Sequence, residues 1–254
     1  MRKLKILIEY DGTQYHGWQC QANGLAIQEV LQKTLKKITQ EKKSVVASGR
    51  TDAGVHAEGQ VAHFFTSSRM TPRELLKAFN SLLPPDIVVK KVEEVNANFH
   101  AQKSATRKTY RYTILNRDFP SALWRCQAHY IASPLNVSAM RRAAKYLVGK
   151  HDFSAFQGAG GKVNSTVREI DSLTIQKKDD WIHFNVVGNG FLKYMVRNIV
   201  GTLIQVGQEK ITVKQTQVIL QSRDRTQAGP TAPARGLCLV TVKYGVLKTP
   251  GTKS

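Results

Sequence analysis

The chain has 254 residues, 41% of them hydrophobic, and sets 38 Lys and Arg against 18 Asp and Glu, a net charge of +20. That length supports one large domain or two medium ones with real cores, and no apolar run approaches a membrane-spanning length. A positive excess of this size costs self-repulsion and makes sense opposite a polyanion, nucleic acid being the usual one; a merely soluble basic protein is the alternative.

The opening stretch M-R-K-L-K-I-L-I-E-Y is broken by Lys5 and Glu9. It therefore reads as neither a signal segment nor a membrane span, but as a strand over residues 4–10. Cys20, Cys126 and Cys238 are odd in number and far apart, which argues against a disulfide framework or a zinc site and for a reduced, cytoplasmic protein. A Gly- and Gln-rich loop runs to Gly24. Ile27, Val30, Leu31, Leu35 and Ile38 then recur at helical spacing across 26–39. Residues 59–67 read as a strand. Thr71-Pro72 opens a helix with a capping residue followed by proline, and Pro84-Pro85 stops it. Residues 87–95 form another strand.

After Asn98 a similar order begins again, with no residue-level repeat. Strands are predicted at 108–115, 173–176 and 181–187, helices at 137–148, 191–206 and near 212–222, and a last strand at 237–244. This predicts an α+β fold of two similar lobes, each a mainly antiparallel sheet with helices on one face, forming a cleft between them. The N-terminal lobe takes residues 1–105 and the C-terminal lobe 106–247, with a frayed tail at 248–254.

Few chemical motifs survive inspection. G-A-G-G-K at 158–162 fails as a phosphate loop, because Phe156 stands where glycine is needed and Val163 where Ser or Thr is needed. His56 and His63 have no zinc spacing and read as hydrogen-bonded structural residues. Tyr110 and Tyr112 share one strand face, either as a base-stacking platform or as plain sheet surface. The helix 191–206 is apolar almost all round, yet it contains Lys193 and Arg197, four apart. A buried guanidinium there needs a carboxylate; the alternative is an arginine reaching to the surface. Gly201, one turn on, would let another backbone approach closely. S-G-R-T-D-A-G-V-H-A at 48–57 sets Asp52 two positions after Arg50 among small residues. Asp52 reads as a turn residue, a cap, a metal ligand or a nucleophile. A lone ionised aspartate without a metal suits covalent attack on a base or sugar better than phosphodiester hydrolysis.

These residues carry a resemblance. S-G-R-T-D-A-G-V-H-A-E-G-Q-V-A-H-F at 48–64, Y-H-G-W-Q at 15–19, N-F-H-A at 98–101, K-T-Y-R-Y at 108–112, H-D-F-S-A-F at 151–156, M-V-R-N-I-V-G at 195–201 and D-R-T-Q-A-G-P-T-A-P-A-R-G-L at 224–237 follow in order. The chain resembles the tRNA pseudouridine synthase A family from Ile8 to about Tyr244. The resemblance implies an isomerase that converts uridine to pseudouridine at positions 38, 39 and 40 of the tRNA anticodon stem-loop. By that likeness Asp52 is the catalytic aspartate, Arg50 the arginine pushed into the RNA stem, Tyr110 the tyrosine packed on the flipped base and Arg197 the partner of the carboxylate. It also implies a homodimer that needs neither metal nor organic cofactor. Gln102 departs from the family's F-H-A-R. A catalytically silent tRNA-binding relative, or a synthase for other RNA uridines, would carry much the same motifs.

Overall fold

The computed structural model describes residues 1–22, 24–161 and 163–245; the tail at 248–254 and Lys162 of the glycine-rich loop lie outside the described residues. In chain order the elements are β1 (Arg2–Tyr10), α1 (Ile27–Thr39), β2 (Val46–Ala47), β3 (His56–Thr66), α2 (Pro72–Leu82), β4 (Ile87–Val95), β5 (Ala105–Asn116), β6 (His129–Ile131), α3 (Val137–Ala144), β7 (Gly149–Asp152), β8 (Val167–Lys178), β9 (Trp181–Gly188), α4 (Met195–Gly207), α5 (Val213–Ser222) and β10 (Leu237–Tyr244). This is a mixed α+β protein built on a large, mainly antiparallel sheet.

Alternation makes the strands. In β1, Leu4, Ile6, Ile8 and Tyr10 are buried on one face, while the intervening Lys5 and Glu9 keep contact with water. In α1, Ile27, Leu31 and Leu35 are fully buried, with Val30 and Ile38 at the margin of the core. Thr71 and Glu74 close a capping box on α2: the Glu74 amide donates to Thr71 Oγ1 at 3.3 Å, and the Thr71 amide to Glu74 Oε2 at 2.7 Å. Thr71→Ala should remove about 1 kcal/mol and lower the melting midpoint by about 2–4 °C for a chain of this size. A calorimetric scan of the two proteins checks this.

Strand order is β4-β1-β3-β10-β5-β9-β8-β7, with β2 on β3 and β6 on β5. The expected sheet of each half is present, and the two halves are edges of one sheet. β10 joins them, pairing parallel with β3 and antiparallel with β5. The register lines up Tyr10, Ala57, Leu239, Tyr110, Val186 and Leu173 across six strands, so these side chains share one face. All six are buried.

Two predicted elements are corrected. The helix expected over 137–148 ends at Ala144 and tightens into a 3-10 turn at Lys145–Leu147. Val148 is extended and Gly149 has φ +109°, so the chain turns there into β7, a strand not expected from the sequence. The helix expected over 191–206 begins only at Met195. Tyr194 takes a left-handed conformation, φ +61°, ahead of it, and the Lys193 carbonyl accepts the Gly158 amide. Lys193 therefore lies off the helix and does not share a helix face with Arg197.

Candidate active site

The stretch 48–55 leads into β3 and is pinned by a buried polar network. Gln60, fully buried on β3, accepts the Ser48 hydroxyl at 2.7 Å and donates to the Gly49 carbonyl at 2.9 Å. Tyr10 and Thr51 share a hydrogen bond of 2.8 Å between hydroxyls, and the Thr51 carbonyl accepts the Trp18 amide at 3.0 Å. The Asp52 carbonyl accepts the Val55 amide, and Gly54, with φ +74°, sends its amide to the Tyr15 carbonyl. The small residues thus let a backbone turn pack against Y-H-G-W-Q while these buried polar groups find partners.

Asp52 points at α4. Arg197 Nη1 lies 3.4 Å from Asp52 Oδ2, and the two side chains are 14% and 23% exposed. The Arg197 Nε donates to the Ala232 carbonyl at 2.7 Å, so the backbone holds one edge of the guanidinium and the carboxylate meets the other. Gly201 explains how that backbone arrives. A Cβ there would stand 1.7 Å from the Pro230 carbonyl oxygen, so only glycine admits the 229–232 segment against the helix. The Ala232 amide returns a bond to the Arg197 carbonyl at 3.1 Å.

Burial pushes the Asp52 carboxyl up, while the charge of Arg197, its hydrogen bond and the charge of Lys193 pull it down; burial wins, and the net shift is upward. Arg197 therefore offsets the effect of burial only in part.

Tyr110, on the sheet row described above, packs edge-on against Phe191 with ring centroids 5.3 Å apart. Burial raises its phenol far above the ordinary value, and the Asp52 charge adds to the rise, which places the two groups in one electrostatic neighbourhood. Tyr112 is fully buried and donates to the Pro233 carbonyl at 2.9 Å; both tyrosines belong to the buried core. Arg50 is exposed and has no hydrogen-bond or ion-pair partner among the described residues. The structure thus brings Asp52, Arg197 and Tyr110 together and leaves Arg50 free at the surface.

Several contributors are not visible in the sequence. The Tyr194 ring meets two cations, the Lys193 ammonium 5.1 Å from its centroid and the Arg197 guanidinium 5.0 Å away. Its left-handed backbone is rare for an aromatic residue and is the kind of strain that gathers at working sites. Asn198 accepts from Thr231 Oγ1 at 2.6 Å and Arg225 Nη2 at 3.1 Å, bracing the segment that supplies Ala232. His56 and His63 are structural: His56 Nδ1 accepts the Gly12 amide at 3.1 Å, and His63, held neutral because burial lowers it to about 4, accepts the Ala101 amide.

A cavity of about 790 Å³ lies against Glu58, Arg111, His183 and Asn185. Arg111 follows Tyr110 in β5, so the cavity opens on the opposite sheet face and contains neither Asp52 nor Arg197. Among the described residues, no three His, Cys, Asp or Glu side chains converge on a metal position, and no helix is long and apolar enough to cross a membrane.

Comparison with known proteins gives a consistent result. A family model described as tRNA pseudouridine synthase matches residues 6–102 and 143–245. A protein of Ruminiclostridium cellulolyticum named tRNA pseudouridine synthase A is 51% identical over 245 residues, covering 96% of this chain and 100% of the relative. A protein of the same name from Thermoanaerobacter sp. (strain X514) is 49% identical over 244 residues with the same coverage, and one from Geobacter sulfurreducens is 43% identical. A solved structure titled Crystal Structure of a Cbf5-Nop10-Gar1 Complex overlaps with a TM-score of 0.35 at 13% identity, over 68% of this chain and 39% of that one, too slight a likeness to argue from.

Proposed function

This chain belongs to the tRNA pseudouridine synthase A family, and from that premise we propose that it isomerises uridine to pseudouridine in tRNA, at positions 38, 39 and 40 of the anticodon stem-loop, with Asp52 as the catalytic group. The observation that carries the site assignment is the Asp52–Arg197 pair at 3.4 Å, whose carboxylate charge is felt by Tyr110.

The reaction breaks the bond from uracil nitrogen 1 to the sugar, rotates the base and joins carbon 5 to the same sugar carbon. Carbon 5 loses a proton and nitrogen 1 gains one, so the change is an isomerisation without net redox. The base must first leave the stem, at a cost of a few kcal/mol. Arg50, free and exposed, fills the gap it leaves. Stacking of the flipped base on Tyr110 returns about 1–3 kcal/mol. Addition of Asp52 to uracil carbon 6, its attack on sugar carbon 1′ and elimination at that carbon all require an ionised carboxylate beside the ring. Arg197 favours that ionised form against the effect of burial. Because Tyr110 stays a neutral phenol, water is the better carrier for the carbon 5 proton.

The two halves, 1–105 and 106–247, act as lobes that grip the stem between them. The protein works in the cytoplasm and as a homodimer, a state to which the exposed Phe119, Leu123 and Trp124 lend apolar surface. The test is release of tritium from uridine carbon 5 in transcribed tRNA, with uridines 38, 39 and 40 replaced in turn. Release that persists when all three are replaced would put the target elsewhere.

Affinity should follow the charge. With a net charge of +20 acting through phosphates, log affinity for tRNA is expected to fall linearly with log salt, with a slope steeper than about −4. Titrations between low and physiological salt measure the slope; a flat line would show that phosphate contacts do not carry binding.

A further inference from the structure

Lys108 plays none of the roles above. It lies two residues before Tyr110 on β5, so both side chains leave the same sheet face. Its Nζ donates to the Ser48 carbonyl at 2.8 Å. A Cβ added to Gly49 would meet that nitrogen at 2.7 Å, so the glycine provides the space the ammonium fills. The next carbonyl, that of Gly49, is held by Gln60 from β3. The Ser48–Gly49 backbone is therefore clamped between two strands, immediately before Arg50 and four residues before Asp52. Among the described residues, Lys108 makes the one side-chain hydrogen bond that joins β5 to residues 48–55.

The ammonium has no carboxylate partner among the described residues. Glu169 and Asp171 of β8 pair with Arg107, the neighbour of Lys108 in the chain. The charged group that bears on Lys108 is Arg168 of β8, while its register partners are Val242 on β10 and Gly188 on β9, and the loop faces it with Ser48 and Gly49. Burial first, then Arg168, brings its pKa down to about 8. The sign follows: above about 8 the folded chain gives up a proton that the unfolded chain keeps, so deprotonation does not weaken the fold. It weakens only the charge-assisted bond to Ser48.

We propose that Lys108 is a positioning residue: through the Ser48 carbonyl it ties the loop that carries Arg50 and Asp52 to the strand that carries Tyr110. This rests on the pseudouridine reading of the site. A half-buried cation held against a loop by a single bond is a register pin, and it sets where the carboxylate stands relative to the ring that receives the base.

Lys108→Met, Gly49→Ala and Lys108→Arg are compared with the natural protein by hydrogen–deuterium exchange across 48–54, by tRNA affinity and by single-turnover pseudouridine formation against pH. Lys108→Met should speed exchange in 48–54 and slow turnover about tenfold or more, with affinity kept within about threefold, because a small misplacement of reacting groups acts on the chemical step. Gly49→Ala need only push aside the end of a flexible side chain, so it should fold and show the same pattern. Lys108→Arg should move the alkaline fall in turnover, expected near pH 8, to higher pH, since a guanidinium stays charged there. Unchanged exchange and turnover in Lys108→Met and Gly49→Ala would overturn the proposal, as would an unmoved alkaline limb in Lys108→Arg. Weakened affinity with intact turnover, and a salt slope smaller by about one, would make Lys108 a phosphate contact instead. If the natural protein makes no pseudouridine, the reading of the site falls; exchange across 48–54 still decides whether Lys108 holds the loop, and unchanged exchange overturns that too.

Discussion

Asp52→Asn protein is expected to fold, to bind tRNA and to release no tritium from uridine carbon 5, a loss of at least about 10⁴-fold of the kind that removing a central catalytic group produces. The amide keeps the shape of the carboxylate and serves turns and caps about as well. A mild effect would therefore make Asp52 a loop residue and nothing more. Stability separates the two cases further. Burial raises the Asp52 carboxyl in the folded chain, so the folded state holds a proton over a pH window in which the unfolded chain has lost it. Stability from this group is present below the unfolded value of 3.8 and is lost as pH rises through the folded value. At neutral pH the ionised carboxyl is thus a net cost to the fold, and Asn removes that cost. Against this, Arg197 loses a partner but keeps the Ala232 carbonyl at 2.7 Å. The melting midpoint should stay within about 4 °C, or about 1 kcal/mol. In the natural protein, turnover should rise from acid with a midpoint above 3.8, since only the ionised form acts. Purified protein assayed for melting, tRNA binding and tritium release checks all of this; a folded mutant that retains more than a few per cent of turnover would remove Asp52 from the chemistry.

Arg197→Lys is expected to cut turnover by about 10²–10³-fold while tRNA binding holds. A guanidinium reaches the Ala232 carbonyl with Nε and Asp52 with Nη1 from one planar group. An ammonium on a shorter stem is a point charge and cannot serve both. With that ammonium turned to the backbone carbonyl, Asp52 loses its strongest counter-charge and its pKa climbs further, so the acid limb of the turnover profile should shift toward neutral pH. The pH profile is the deciding measurement: unchanged turnover together with an unshifted limb would show that the ion pair does not tune the carboxylate.

The parts of the site that can be read from the sequence are those whose chemistry is local. Arg50 and Asp52 lie two apart among glycine, serine and alanine, and so odd a setting for a charged pair is visible without coordinates. The cap at Thr71 and the alternation of 4–10 are equally local. Gly201 is legible for a different reason: a glycine one turn from a buried arginine already implies an approaching backbone, although nothing in the sequence names Pro230. Partners are illegible where separation is long. Asp52 and Arg197 stand 145 residues apart, and Lys108 and Ser48 stand 60 apart. Nothing in either neighbourhood encodes the other. The start of α4 is misleading in the sequence because Phe191–Tyr194 fits the apolar helical pattern. Tertiary packing, with Gly158 bonded to the Lys193 carbonyl, holds Tyr194 in a backbone region that propensity disfavours.

β10, the last strand among the described residues, enters the sheet between β3 and β5. A ribosome delivers the loop of Asp52 and the strand of Tyr110 long before it delivers the strand that sets them side by side. Until residues 237–244 are in place, these edges of β3 and β5 are paired only where β2 and β6 meet them, and the rest is the kind of edge that recruits foreign strands. The closure spans most of the chain and is slow by its topology. The loop of Asp52 and the strand of Tyr110 therefore come into register only once the strand between them is in place.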